Sequence, residues 1–209
     1  MYTKQALRDL NISPSDITDA QKEALEKDGF FIVENVLSPE ECKSAAEAFE
    51  ALHAAEANQG GHEVHIEPGS RRVSNIFNKT DAFDAMLEIP SVLASAHSLL
   101  GEIKLHGANL RDPNKGYGHQ DYHVDVPKFF DDDWWVLNAI VLFDDMTLEN
   151  GPTRVVPGTH HWAPINVPVV NQGDWEPQPL SPEDEARIPA DLGAPYEGEV
   201  LVTAPAGSV

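Results

Sequence analysis

The chain has 209 residues, with 35 acidic and 14 basic side chains and a formal net charge of −21 at pH 7. This length suits a single domain, and the acidity excludes a nucleic acid as an expected partner because phosphates would be repelled. No apolar run reaches the roughly 18 residues of a membrane span, so no membrane partner is expected. The first ten residues lack the apolar core of a signal peptide. Cys42 is the only cysteine and is predicted to be a buried thiol, which indicates a reducing, cytoplasmic setting.

The first hundred residues have mainly helical patterns. Residues 18–21 match a capping box, and the helix that they open is predicted to end at Gly29. The apolar run 30–37 is typical of a buried strand. A Ser-Pro-Glu-Glu sequence then predicts a helix over residues 38–55, and Ala-rich helical patterns follow over 80–100, with a break at a proline.

From residue 102 onwards the pattern changes to short strands between turns. The predicted strands lie at 103–110, 134–143, 153–156 and 199–204. Such spacing favours an antiparallel sandwich or barrel. The Pro-rich, acidic stretch 163–198 has no regular pattern, and we expect a loop of this length to be a mobile lid over the mouth of the barrel.

Two overlapping His-x-Asp pairs lie within residues 116–125. They are His119 with Asp121, and His123 with Asp125. Residues i and i+2 of a strand face the same side, so either pair could hold one metal ion between an imidazole and a carboxylate. This is two thirds of the two-histidine, one-carboxylate set that binds Fe(II) and leaves positions open. The residue pattern alone leaves both pairs as candidates.

Three segments of this chain resemble the phytanoyl-CoA dioxygenase family of Fe(II)- and 2-oxoglutarate-dependent oxygenases. They are residues 25–41, residues 109–125 and the Asn-Gly-Pro-Thr-Arg-Val-Val-Pro-Gly-Thr-His sequence of residues 150–160. The resemblance implies a mostly β protein with flanking helices. Its fold would be a double-stranded β-helix, a cupin-like jelly roll, in one domain over residues 1–209, with the helical part of residues 1–100 packed outside. It also implies Fe(II) as cofactor, with 2-oxoglutarate and O2 as co-substrates.

The resemblance favours His123 and Asp125 as the metal ligands, because the Gly-x-Gly-x-Gln segment precedes them as in similar bacterial proteins. Members with a His-Gln-Asp ligand set would instead favour His119 and Asp121. The third histidine is expected beyond Val209, so the sequence is expected to stop before the last strands of the domain. Further site candidates are Asn138, Thr153 and His106 as contacts of the co-substrate, His160 or His161 as substitute ligands, and Arg154 as a partner of acidic neighbours.

The function implied by the resemblance is hydroxylation of a small-molecule metabolite. A carboxylate ligand favours hydroxylation, since related iron halogenases lack it. The only adjacent basic pair is Arg71 with Arg72, which is too little positive charge to favour an acyl-CoA substrate. Two alternatives remain. One is a catalytically inactive metal- or ligand-binding jelly roll, and the other is a non-enzymatic β-sandwich that binds other proteins.

Overall fold

The computed structural model describes residues 2–64, 66–126, 134–162 and 180–209. The helices are α1 (Tyr2–Asp9), α2 (Asp19–Lys27), α3 (Pro39–Glu56), α4 (Pro90–Leu100) and α5 (Pro182–Arg187). The strands are β1 (Ser70–Val73), β2 (Leu110–Pro113), β3 (Thr153–Val155) and β4 (Val200–Val202). Single turns of 3-10 helix lie at Pro14–Asp16, Ala57–Gln59, Ile76–Asn78, Asp84–Glu88 and Thr159–His161. Within these described residues, no helix is both long and apolar enough to cross a membrane.

The two longest N-terminal helices begin where the sequence predicts. Thr18 accepts a hydrogen bond from the Gln21 backbone (3.2 Å), and the Gln21 side chain accepts one from the Thr18 backbone (2.7 Å). Ser38 and Glu41 form the same reciprocal capping box at the start of α3. The predicted stop after α2 is also confirmed, because Gly29 adopts a positive φ of 86° that suits glycine.

Each described sheet contains one antiparallel pair of strands. Strand β1 pairs with β2 from Ser70 opposite Pro113 to Val73 opposite Leu110. Strand β3 pairs with β4, and a single bridge between Met146 and Ala204 extends that pairing. The predicted strands at 153–156 and 199–204 are therefore confirmed over residues 153–155 and 200–202.

The segment 204–209 connects distant parts of the chain. Val33 and Val209 exchange two backbone hydrogen bonds, of 2.8 and 2.9 Å, and the backbone of Val36 donates to Gly207. On the other side, Leu142 donates to Ser208 and accepts from Gly207. The segment thus joins the region before α3 to the region that follows the candidate site.

The expectation of a mostly β protein is not confirmed in the described residues. Their helices contain 6 to 18 residues, whereas their strands contain only three or four. Residues 30–37 and 134–143 were predicted as strands, but they lack a regular ladder, and of 103–110 only Leu110 lies in a strand. Their backbones need partners far away in the chain, which a local apolar pattern does not specify.

The core lies mainly between α3 and the first sheet. Its buried side chains are Ala45, Phe49, Val73, Ile76 and Phe83. A second cluster joins the N-terminal segment to α4 through Leu7, Ile12, Ile17 and Ala94. These clusters account for the helical patterns of the first hundred residues and support the first sheet, from which the chain continues into the candidate site.

Candidate metal centre

The structure brings His123 and Asp125 together at the surface. Alternate residues of the segment 121–126 are partly buried, so these two side chains share its exposed side. The Nε2 atom of His123 lies 3.2 Å from Oδ1 of Asp125, and the two side chains are 30% and 50% exposed. A pair with this exposure is open to an ion and to small molecules.

Neighbouring groups orient both members of the pair. His123 Nδ1 donates a hydrogen bond to the backbone carbonyl of Asp121 (2.7 Å), which leaves Nε2 directed at Asp125. The Asn138 amide donates to Asp125 Oδ2 (2.5 Å) and leaves Oδ1 on the side of His123. The hydrogen bond with Asp125 raises the pKa of His123, and the same bond, with help from Asn138, lowers the pKa of Asp125.

The spacing of these two donor atoms fits a metal ion. Two ligands in adjacent octahedral positions, each about 2.1 Å from a metal, lie about 3.0 Å from each other. The observed separation of His123 Nε2 from Asp125 Oδ1 is 3.2 Å. One imidazole nitrogen and one carboxylate oxygen are also the donor types that Fe(II) accepts in the facial set. The described residues contain no group of three or more side chains of the ligand types placed to hold a metal ion.

The alternative pair, His119 and Asp121, faces a different neighbour. His119 Nε2 donates to the backbone carbonyl of Gly193 at 3.0 Å. A Cβ atom placed on Gly193 would lie 3.2 Å from Asp121 Oδ1 and 3.3 Å from His119 Nε2, so both side chains pack closely against this glycine. His119 Nε2 is thus held by a backbone carbonyl of a distant segment, whereas His123 Nε2 is paired with the carboxylate of Asp125, the other candidate ligand.

The other predicted contacts of the co-substrate differ in position. Asn138 does lie at the metal pair, but as a hydrogen-bond partner of Asp125. Thr153 lies in β3, and its backbone N–H donates to the sulfur of Met146 at 3.4 Å. His106 is exposed on an extended segment. Among these three residues, Asn138 is the one that the structure joins to the candidate ligands by a hydrogen bond.

The two histidines that could substitute as ligands bind the end of a helix. The Nε2 atoms of His160 and His161 both donate to the Glu26 carbonyl in the last turn of α2, at 3.0 and 2.7 Å. The Trp134 ring packs against them, with centroids 5.4 and 5.8 Å away. This arrangement gives both imidazoles a structural role at the C-terminus of α2, where unpaired carbonyls attract donors.

A cluster beside the metal pair was only partly foreseen. Arg154 was expected to pair with acidic neighbours, and it binds Glu199 through Nε (3.0 Å) and Nη2 (2.9 Å). Tyr122, next to His123 in sequence, also donates its hydroxyl to Glu199. Burial and this bond raise the pKa of Tyr122, whereas the bonds from Tyr122 and Arg154 lower the pKa of Glu199. Sequence reasoning missed Tyr122 and Glu199 because no local signal links positions this far apart.

The expected lid lies partly outside the described residues, since residues 163–179 are not described. Its remaining part contains α5 and packs on the segment before the metal pair. Tyr122 donates its backbone N–H to the Leu192 carbonyl at 3.0 Å. The Tyr196 ring contacts Tyr122 and Trp162 edge to face, and Arg187 lies over Trp162. We call residues 188–199 the covering segment.

A comparison with solved structures identifies proteins of similar fold. The solved structure of HygX from Streptomyces hygroscopicus, with nickel, 2-oxoglutarate and hygromycin B bound, is similar to this chain. The TM-score is 0.58 at 16% identity, over 92% of this chain and 76% of that chain. The likeness shows a shared fold. It supports the expected jelly roll although the described strands are short.

The sequence model of the family "Phytanoyl-CoA dioxygenase (PhyH)" matches residues 25–209. The chain belongs to this family, and the resemblance that the sequence analysis found is confirmed. Fe(II), with 2-oxoglutarate and O2 as co-substrates, is therefore confirmed as the cofactor set of the family.

Curated relatives agree with this assignment. The ectoine dioxygenase of Bordetella parapertussis is 30% identical in an alignment of 154 positions, which covers 67% of this chain and 48% of that protein. Dioxygenase af480 of Aspergillus fumigatus is 29% identical in an alignment of 213 positions, gaps included, which covers 96% of this chain and 62% of that protein. The chain thus spans about half the length of the ectoine dioxygenase that it matches.

Proposed function

We propose that this protein is an Fe(II)- and 2-oxoglutarate-dependent dioxygenase that hydroxylates a small-molecule metabolite. The observation on which the proposal rests is the exposed pair of His123 Nε2 and Asp125 Oδ1, 3.2 Å apart. Membership of the phytanoyl-CoA dioxygenase family supports the reaction class. The relatives named as dioxygenases support it too.

Each residue of the pair has a defined task in this proposal. His123 and Asp125 would hold the iron, which with O2 and 2-oxoglutarate supplies the oxidation of a substrate C–H bond. The bond from His123 Nδ1 to the Asp121 carbonyl fixes the ring so that Nε2 is the ligand atom. Asn138 holds Asp125 in the matching orientation. The third ligand, a second histidine, stays a prediction of the family resemblance.

The charges of the first sheet support a small metabolite over an acyl-CoA. Arg71 pairs with Glu50 at 2.9 Å and also with Asp112, and Arg72 lies 3.6 Å from Glu67. The one adjacent basic pair is therefore neutralised by acidic partners. The similar proteins support the same substrate class, because ectoine, in the name of one, and hygromycin B, bound in the structure of the other, are small molecules.

The first prediction separates the two candidate pairs by metal binding. Replacing His123 by Ala should abolish binding of Mn(II), used as a redox-stable substitute for Fe(II), because one of the two converging donors is lost. The matched variant His119→Ala should keep binding within about threefold, since this side chain contacts the Gly193 carbonyl instead. Isothermal titration calorimetry measures both affinities under the same conditions.

The opposite pattern, with loss of Mn(II) binding only in His119→Ala, would move the site to His119 and Asp121. Turnover separates the dioxygenase from its alternative. Iron-dependent release of succinate from 2-oxoglutarate is expected of a form of the protein that includes the third histidine. Its absence in that form, with metal bound, would indicate an inactive metal-binding jelly roll.

A further inference from the structure

We infer that Arg154 is a positioning residue of the metal centre, which it reaches through Tyr122 and the covering segment. The inference rests on the proposed function, since it takes His123 and Asp125 as the ligands. It concerns a side chain that lies in β3, away from the ligands in sequence, and that is only 17% exposed.

The guanidinium of Arg154 donates four hydrogen bonds to the covering segment. Nε and Nη2 donate to one carboxylate oxygen of Glu199, at 3.0 and 2.9 Å. Nη1 donates to the Gly193 carbonyl at 2.8 Å, and Nη2 donates to the Ala194 carbonyl at 2.5 Å. One side chain thus fixes both the turn at 193–194 and the residue that leads into β4. Charged donors on carboxylate and carbonyl groups form hydrogen bonds stronger than neutral ones.

Tyr122 transmits this arrangement to the metal pair. Its ring lies under the Arg154 guanidinium, with the central carbon 4.4 Å from the ring centroid. Its hydroxyl donates to the same Glu199 oxygen that Arg154 binds. Tyr122 directly precedes His123, and burial alternates along residues 121–126, so Tyr122 faces inwards and His123 outwards. Holding the Tyr122 ring therefore limits the directions in which His123 can point.

The Gly193 carbonyl accepts hydrogen bonds from both Arg154 and His119, the histidine of the alternative pair. It accepts from Arg154 Nη1 and from His119 Nε2, at 2.8 and 3.0 Å. By fixing this carbonyl, Arg154 keeps His119 turned towards the covering segment. The cluster of Arg154, Tyr122 and Glu199 therefore has two effects on the segment that carries both histidines. It orients His123, and it holds His119 in a contact with the Gly193 carbonyl.

Lysine cannot replace this arginine. An ammonium group has no planar face to stack on the Tyr122 ring and has fewer donors than the five of a guanidinium. Arg154 uses donors in three directions at once, towards Glu199, Gly193 and Ala194. A lysine at this position would keep the charge next to Glu199 but would lose the carbonyl contacts and the stacking.

The experiment measures Mn(II) affinity by calorimetry in the wild-type protein and in Arg154→Met, Arg154→Lys and Tyr122→Phe. We expect Arg154→Met to weaken binding by about tenfold, as for other residues that orient metal ligands. Arg154→Lys should fall between Arg154→Met and the wild type. Tyr122→Phe, which keeps the ring but loses the hydroxyl, should show a smaller loss than Arg154→Met.

Two controls distinguish positioning from a general loss of stability. Arg187→Met removes a cation that lies over Trp162 and pairs with Glu183. Ser38→Ala removes the side-chain cap of α3. Both should leave Mn(II) affinity within about twofold of the wild type even where they lower the melting temperature.

The outcomes distinguish failure of the positioning role of Arg154 from failure of the proposed function. Wild-type affinity in Arg154→Met, with His123 still required for binding, would overturn the positioning role and leave the proposed function intact. Failure of the wild-type protein to bind Mn(II) through His123 would overturn the proposed function, and this inference with it. If Arg154→Met does not fold, the affinity of Arg154→Lys decides, and a wild-type value there overturns the inference.

Discussion

At the scale of single residues, burial lowers the reactivity of the Cys42 thiol. The side chain is 4% exposed, and its sulfur lies 3.8 Å from the Leu142 carbonyl. Burial raises the pKa of the Cys42 thiol, and the negative charges of Glu41 and Asp144 raise it further. The thiolate, which is the reactive form, is therefore less populated than in a free cysteine at the same pH.

We predict that iodoacetamide modifies Cys42 at pH 8 at least about tenfold more slowly in the folded protein than in urea-denatured protein. The reason is the combined effect of a raised pKa and a buried sulfur. Mass spectrometry of timed samples measures the rate, and the denatured chain serves as the control because Cys42 is its only thiol. Equal rates in the two states would show that the thiol is open to solvent.

Asn138 shows how far a residue's role follows from sequence. A polar side chain in an apolar stretch indicates that the amide has a partner, and the resemblance suggested the co-substrate. The structure shows the partner to be Asp125, 13 residues earlier in the chain. The sequence thus indicated a polar partner for the amide but not its identity, because hydrogen-bond partners depend on how two segments meet. Contact of Asn138 with the co-substrate stays a prediction.

At the scale of elements, the helix ends are the part of this fold that local chemistry specifies. The starts of α2 and α3 were predictable because each capping box is formed by residues only three positions apart. The extended segments were harder. Val33 finds its backbone partner in Val209, and Leu142 finds partners in Gly207 and Ser208, at distances along the chain that no pattern reveals.

We predict that Ser38→Ala lowers the free energy of unfolding by about 1 kcal/mol at pH 7, since it removes the side-chain cap of α3. Urea unfolding followed by circular dichroism measures the difference. Ser44→Ala is the matched control, because Ser44 is exposed in the middle of α3, where alanine favours the helix. A loss in Ser44→Ala equal to that in Ser38→Ala would contradict the capping role.

The same cap has a pH dependence whose sign is fixed. The backbone hydrogen bond from Ser38 lowers the pKa of Glu41, with a further contribution from the Ser38 hydroxyl. A carboxyl group with a lowered pKa stabilises the folded state above its unfolded pKa, and this contribution is lost as the pH falls through the folded value. Ser38→Ala keeps the backbone hydrogen bond and loses only the hydroxyl contribution. The difference between the wild type and Ser38→Ala should therefore become slightly smaller in acid.

At the scale of the whole molecule, the charge of −21 works against compactness. Several of the 14 basic side chains are already paired with acidic ones, including Arg71, Lys79, Arg111 and Arg154. The excess of acidic groups therefore repels itself across the surface. Salt screens such exposed charges, with a Debye length of about 10 Å at 0.1 M.

We expect the melting temperature to rise by several degrees between about 0.02 M and 0.5 M NaCl, because screening weakens this repulsion. Differential scanning calorimetry measures the change. A variant with three exposed glutamates replaced by Gln, at Glu23, Glu88 and Glu149, should start from a higher melting temperature and respond less to salt. A melting temperature that falls with NaCl would mean that attractive ion pairs dominate.

The pairing of residues 204–209 with Val33 and Val36 also bears on how the protein is made. Val33 leaves the ribosome early, yet the backbone groups that it binds belong to Val209. At about 5–20 residues per second, the intervening stretch of about 180 residues takes roughly ten to thirty seconds to translate. During that time the backbone groups of Val33 lack their native partner, although Phe31 in the same segment already has part of the N-terminal cluster to pack against. Before Val209 is made, these backbone groups are open to another chain or to a chaperone.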